Sequence, residues 1–344
     1  MTVHIPSGVK PIDALRAHSF FMPCGGQRHC GRCKVIVSTQ TELPMTDEER
    51  AFLHKEEIAS GVRLACFLPA AEMTVVLPDA QGISFAEGHD GLFAPRPGEK
   101  KALAVDVGTT TVAMALLDLA AGRVLDVASA LNAQKSFGDD VMTRIGQARD
   151  GQAQALRDTI VTQLNELSAQ LCARHHISAQ EITRAVISGN TTMAHLLVGY
   201  PVDGLAQAPF TPHSYETVTL SGAELGLSVH PEAHCVILPC LGAFVGGDLT
   251  SGLLATRMHE REGVHMLVDI GTNGEMIIGG KNGLLGCSTA AGPALEGCRI
   301  SCGTGAIEGA VCSVSRKLNG FETIGGQPAA GICGTGLVDL TAAL

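Results

Sequence analysis

The sequence predicts an α/β protein in two parts: a small cysteine-bearing domain of short strands, then a larger region of alternating strands and helices that is internally duplicated. Three observations predict it. Cysteines and glycines crowd the stretch "MPCGGQRHCGRCKVIV", residues 22–37. The segments "LAVDVGTTTVAMALLD" (103–118) and "MLVDIGTNGEMIIGG" (266–280) share one pattern, an apolar strand, Asp-x-Gly-Thr and a second apolar strand, 163 residues apart; such an echo marks a duplication. Between them lie strand-to-helix units such as "AVISGNTTMAHLLVG", and this alternation specifies α/β architecture.

Taken in order, residues 1–80 read as a small domain with strands at "TVHI", "CKVIV" and "MTVVLP" and helices at "PIDALRAH" and "TDEERAFLHKEEIAS". Thr46 and Glu49 have capping-box spacing, which fixes the start of the second helix. Residues 81–100, ending in the Gly-, Pro- and charge-rich "GLFAPRPGEK", read as a linker. Residues 101–344 form the duplicated region, divided at 262/263 into a first subdomain and the start of a second. Within it, Leu156, Ile160, Leu164, Leu167 and Leu171 recur at helical spacing and mark the core face of a long helix. Asn190 and Thr191 read as the cap of the helix after "ISGN".

Composition narrows the class. With 344 residues, 45% hydrophobic and 17% charged, the chain is long enough for several packed domains and too apolar for disorder. A net charge of −10 argues against a nucleic-acid partner. The N-terminus lacks the charge-then-apolar pattern of a secretory signal, and the most apolar window holds Asp106 and Asp118, so neither export nor a membrane span is expected. In the cytoplasmic location this implies, twelve cysteines are reduced thiols or metal ligands rather than a disulfide framework.

Cys24, Cys30 and Cys33 form C-x5-C-x2-C, and Cys66 follows in "RLACFLP". Plant-type [2Fe-2S] ferredoxins use C-x4-C-x2-C with a distant fourth cysteine, so this is that pattern with one extra loop residue. Gly25, Gly26 and Gly31 suit a loop whose amides turn toward cluster sulfurs. Structural zinc is the rival reading, since Cys30 and Cys33 supply one C-x2-C half of a zinc site.

In each Asp-x-Gly-Thr turn a carboxylate ends a strand and a glycine turn with hydrogen-bond donors follows. A phosphate site needs close backbone approach, donor groups, and a carboxylate holding Mg²⁺ through water. Asp106 and Asp269 are the metal-holding candidates; Gly108, Thr109, Thr110, Gly271, Thr272 and Asn273 are the phosphate-binding ones. A third glycine loop in "GICGTGLVDL" offers Gly334, Thr335 and Gly336, which also fit a tight strand-to-helix turn.

Together these motifs resemble the reductive activators of corrinoid proteins, in which a [2Fe-2S] domain is fused to an ATPase of the actin, Hsp70 and sugar kinase superfamily. The resemblance rests on "PCGGQRHCGRCKV" with "RLACFLP", "AVDVGTTTVA", "ISGNTTMAHLLVG", "PCLGAFVGGD", "VDIGTNGE" and "CSTAAGPALEGCRISCGTGAIEG". It implies an α+β ferredoxin-type (β-grasp) domain followed by a duplicated α/β RNase H-like region, incomplete at its C-terminus, where further helices and an adenosine-contacting loop are expected. It also implies a [2Fe-2S] cluster on Cys24, Cys30, Cys33 and Cys66, Mg-ATP at the two turns, and ATP-dependent electron transfer onto cobalt(II) corrinoid to restore cobalt(I). The partners implied are a corrinoid protein of a methyltransferase system and an upstream electron donor. Each 100 mV uphill costs one electron about 2.3 kcal/mol, which is the gap ATP would close. The resemblance places the loop Ser288 to Gly305 near the corrinoid.

Other readings stay open at this stage. A non-catalytic iron-sulfur carrier or redox-sensing module would keep the cysteines and dispense with hydrolysis. A small-molecule kinase would leave the cysteines without a role, and the dehydratase activators of the same superfamily hold a cluster between subunits. Cys240, Cys287, Cys298 and Cys302 are candidates for a second cluster or buried thiols; His175, His176, His230 and His234 need no metal. Whether the chain forms a homodimer is not written in the sequence.

Overall fold

The computed structural model describes residues 2–16, 20, 26, 28, 33–39, 43–53, 55–77, 93–271, 273–289, 300–304 and 309–344. The chain divides into two compact units, Met1–Ala80 with Asn132–Ile160, and Gln81–Leu131 with Val161–Leu344.

In the first unit, β1 (Thr2–Ile5), β2 (Lys34–Ser38), β3 (Val62–Leu64) and β4 (Met73–Val76) form a sheet in the order β1-β4-β2-β3, with every pair antiparallel. Alternate residues Val3, Ile5, Val35, Met73 and Val75 join Leu15, Leu64 and Phe67 in one core, as the two-residue period of a strand requires. The helix Pro11–Arg16 forms where the sequence predicts it. The second predicted helix is two, Asp47–Arg50 and Lys55–Ala59, with Leu53 buried between them. Thr46 caps the first by accepting from the Glu49 amide at 3.1 Å. The Glu49 side chain does not close the capping box. It is fully buried, accepts from Arg63 Nε (2.8 Å) and Nη2 (2.7 Å) and from the Leu64 amide (2.9 Å), because a buried guanidinium needs a bidentate carboxylate. Arg63 also donates to the Leu43 and Pro44 carbonyls. This pair holds β3, the strand that delivers Cys66. In the same unit Arg144 is fully buried and donates to the Gly138 carbonyl at 3.0 Å, burial drawing it down to about 10.

The second unit holds a six-stranded sheet of β5 (Lys101–Val107), β6 (Thr111–Asp118), β7 (Arg123–Leu131), β8 (Ile182–Gly189), β9 (Val218–Ser221) and β10 (His234–Ile237). Their order is β7-β6-β5-β8-β10-β9, with β5, β8 and β10 parallel and the other pairs antiparallel. Leu103, Val105, Val112, Met114 and Ile187 are buried, as are all five leucine and isoleucine positions predicted for the long helix, Ala153–His175.

Further along, β11 (His265–Ile270), β12 (Gly274–Gly280) and β13 (Gly283–Thr289) form an antiparallel meander with the connectivity of β5-β6-β7. The sequence echo is therefore a structural one. A last sheet, β14 (Ala310–Val314), β15 (Phe321–Thr323) and β16 (Gly331–Ile332), runs β15-β14-β16, and the helix Gly334–Ala343 packs on β14. Among the described residues no helix is long and apolar enough to cross a membrane.

Candidate functional site

Parallel strands leave the amide groups and side chains beyond their C-terminal ends converging, and ligands of open α/β sheets bind there. Asp106 stands at that end of β5, Ser188 at that of β8, and the loop after β10 leads to the helix Gly247–Thr256 and its Asp248. Ser188 Oγ donates to Asp106 Oδ1 at 2.9 Å and to the Val105 carbonyl at 3.3 Å. The Gly108 amide closes the first turn on the Thr111 carbonyl at 2.9 Å, and the Gly271 amide closes the second on Asn273 at 3.0 Å.

Four carboxylates from both halves of the duplication act on one another here. The surrounding protein holds Asp106 above the usual carboxylate range, opposed by the Ser188 bond and assisted by Asp269, although its side chain keeps solvent access. The surrounding protein likewise raises Asp269, whose side chain also keeps solvent access. Asp248 is pushed up to about 6 by burial and by Asp106 and Asp269. Glu275, 8% exposed and paired across the strands with Asp269, is pushed up to about 7 by burial, Asp248 and Asp269, while Ser288 and Asn273 donate to it. Crowded like charges bind protons or a cation to relieve repulsion. Among the described residues no three His, Cys, Asp or Glu side chains are grouped to bind a metal directly.

Asp248 and Glu275 were not among the residues the sequence pointed to. Glu275 lay in plain view, facing Asp269 once the second turn is recognised as a hairpin; Asp248 comes from the first turn of a distant helix and had only its place after a Gly-Gly pair to mark it. Asn190 does cap its helix, Oδ1 accepting from the Met193 amide at 3.0 Å, but its Nδ2 also donates to Thr109 Oγ1 at 2.8 Å. It therefore joins two loops of the site.

Gly334 and Thr335 open the last helix, where the Cys333 thiol lies 3.2 Å from Thr335 Oγ1. Gly336 meets the Val311 carbonyl so closely that a Cβ would collide, which gives it a packing role. Thr272 and most of Ser288 to Gly305, including Cys298, lie outside the described residues. Cys240 is buried with its thiol 3.4 Å from the Ser214 carbonyl, Cys287 and Cys302 are exposed, and His175 Nε2 lies 3.2 Å from Asp126 Oδ2.

In the cysteine region, Cys33 and Cys66 are buried with their sulfurs 3.3 Å apart. The Cys66 hydrogen bond draws the Cys33 thiol down to about 7 against the effect of burial. Arg28 fixes the wall beside them, Nε donating to the Cys66 carbonyl at 2.9 Å with its guanidinium over the Phe67 ring. Gly26 holds φ at +90°, the left-handed region glycine favours. Cys24, Cys30, Gly25 and Gly31 lie outside the described residues. Two facing buried sulfurs, one deprotonated near neutrality, fit half of a metal-thiolate set.

The sheet order and its repeated meander are those of an actin- and Hsp70-like (ASKHA) fold. Residues 263–344 match the family model described as the C-terminal domain of RACo, the ASKHA domain, and residues 101–261 match the RACo middle region. Over these two stretches the chain belongs to the RACo family. It is 34% identical over 289 residues to the corrinoid activation enzyme RamQ of Eubacterium limosum, covering 78% of this chain and 48% of the relative. It is 24% identical over 223 residues to the [Co(II) methylated amine-specific corrinoid protein] reductase of Methanosarcina barkeri, covering 62% of this chain and 40% of that one. The chain thus spans about half the length of the curated relatives it matches. A solved structure described as a reductive activator for corrinoid, iron-sulfur protein superposes with a TM-score of 0.67 at 29% identity, over 99% of this chain and 70% of that one.

Proposed function

We propose that this chain carries the cluster and nucleotide sites of a cytoplasmic, ATP-dependent reductive activator, which passes an electron to the cobalt(II) corrinoid of a methyltransferase-system protein and restores cobalt(I). The observation that carries this reading is the pairing of Cys33 and Cys66 in a chain whose acidic turns lie within the stretches that match the RACo family models. In this reading residues 1–80 are the ferredoxin-type (β-grasp) domain, 81–100 the linker and 101–344 the ATPase region.

A [2Fe-2S] cluster, when bound, supplies a one-electron carrier. Cys24, Cys30, Cys33 and Cys66 would hold it; Cys33, with its thiol near neutrality, gives up its proton at little cost. Asp106 and Asp269 are the residues that would hold Mg²⁺, which when bound would neutralise phosphate charge, with Asp248 and Glu275 beside them. Thr109, Thr110, Thr272 and Asn273 donate to phosphate oxygens, Gly108 and Gly271 allow the approach, and Gly334, Thr335 and Gly336 border the nucleotide. ATP then drives the uphill transfer by favouring a complex with one oxidation state of the partner.

The test is anaerobic calorimetry of Mg-ATP binding to the iron-reconstituted chain, followed by the visible spectrum of a cobalt(II) corrinoid protein mixed with it. Micromolar binding, lost in Asp269→Ala, and ATP-dependent conversion to cobalt(I) are the expected results. Binding with no cobalt reduction would leave the second reading, a non-catalytic iron-sulfur carrier or redox-sensing module. That reading is favoured by the small clusters of the second half, which among the described residues are Leu249, Leu253, Met258 and Ile277 around β12 and Ala310 with Cys333 around β14.

A further inference from the structure

The helix cap at Asn190 and Thr191 connects two places that the sequence keeps apart. On one side, Asn190 Nδ2 donates to Thr109 Oγ1 at 2.8 Å, so the hydroxyl of the first turn accepts there and its proton is directed away from Asn190. On the other, Thr191 Oγ1 donates to the Gly242 carbonyl at 2.6 Å. Gly242 belongs to a tight hairpin in which the Leu241 and Gly242 amides both donate to the Val245 carbonyl, at 2.8 and 3.2 Å. The hairpin presents Leu241 (57% exposed) and Phe244 (49%) to solvent, with Phe210 edge-on to Phe244 at 5.1 Å. Three residues past it Asp248 enters the acidic cluster.

No side chain cushions the join. A Cβ on Gly246 would come within 2.5 Å of Asn190 Cα and 2.6 Å of the Thr191 nitrogen, so the base of the hairpin and the cap meet backbone to backbone. Contacts this close shift together, since packed interiors respond by discrete rearrangement and not by local compression.

We infer that Asn190 is a positioning residue for a bound nucleotide, orienting the Thr109 hydroxyl toward phosphate, and that Thr191 transmits phosphate occupancy to the 241–245 hairpin. This rests on the nucleotide-binding reading above. The hairpin is then the surface element whose position reports whether the site is filled.

The chain has no tryptophan, so Phe244→Trp gives a single emission reporter on the reconstituted protein, titrated with Mg-ATP while calorimetry follows binding separately. The inference expects an emission change that saturates with binding. In Thr191→Val it expects the affinity to hold within about twofold and the emission change to vanish, while Thr191→Ser, which keeps the hydroxyl, restores it. In Asn190→Ser, which can still cap the helix, affinity falls roughly five- to tenfold, the loss of one oriented hydrogen bond. Binding without an emission change in the reporter, or a full change in Thr191→Val, overturns the relay and leaves nucleotide binding standing. Absence of binding in the reporter and the unsubstituted chain overturns both. Hydrogen exchange at 241–245 in the unsubstituted chain, with and without Mg-ATP, is the second measurement; unchanged exchange with the site filled also overturns the relay.

Discussion

Strands β5 and β11 read almost alike, "AVDVGT" and "LVDIGT", and end in the same acidic turn, yet their neighbours bury them very differently. Leu103, Val105 and Val107 are 1%, 4% and 1% exposed, whereas their counterparts Met266, Val268 and Ile270 are 58%, 44% and 60% exposed. The faces differ: β11 turns Leu267, on its other side, to the cluster of Leu249, Leu253, Met258 and Ile277, and leaves Met266, Val268 and Ile270 uncovered. β5 lies between β6 and β8, while β11, among the described residues, pairs with β12 alone. Apolar alternation thus records what a strand is suited to face, and burial depends on what arrives to face it.

The comparison is broken most directly by matched truncations. Leu103→Ala should lower stability by about 2–5 kcal/mol in urea titrations, with Met266→Ala within about 0.5 kcal/mol of the parent; equal losses would mean that β11 is covered in solution.

Next in size is pH. Asp248 and Glu275 bind protons more tightly folded than unfolded, so their contribution is most favourable near or below the ordinary carboxylate range and is lost as pH rises through about 6 and about 7. For Glu275 the loss is at most about 3 kcal/mol. The nucleotide-free chain should therefore unfold at lower urea at pH 8 than at pH 5.5, and Glu275→Gln should flatten that slope. An unchanged slope would remove Glu275 from the acidic cluster.

Amide exchange sharpens the contrast further: β11 should open at least about tenfold more readily than β5, a difference of about 1.4 kcal/mol. Smallest is the effect of Met266→Thr with Ile270→Thr, which should raise soluble yield while moving the unfolding midpoint by less than about 0.5 kcal/mol equivalent. A large destabilisation instead would show those side chains to be buried.

Local chemistry was legible in the sequence where a short motif carries the whole geometry. Asp106 and Asp269 stand at strand ends because Asp-x-Gly-Thr makes a turn wherever apolar strands flank it, and the buried leucines of the long helix followed from spacing alone. What was not legible depends on distant partners. Glu49 has the spacing of a capping box but serves Arg63, fourteen residues on, since satisfying a buried guanidinium outweighs one cap bond. Asn190 reads as a cap because only Oδ1 has a local partner; its Nδ2 finds Thr109, 81 residues away. Asp248 joins the acidic cluster from the first turn of a helix whose preceding loop follows a course no periodicity sets.

The ion pair behind β3 bears on repair. Glu49 is gripped by both ends of the Arg63 fork and by the Leu64 amide, and none of those bonds involves a sulfur. If the cysteines carry an oxygen-sensitive cluster as proposed, its destruction would leave Cys66 seated beside Cys33. Reassembly by iron and sulfide donors would then begin from a half-built socket, without the chain having to unfold and start again.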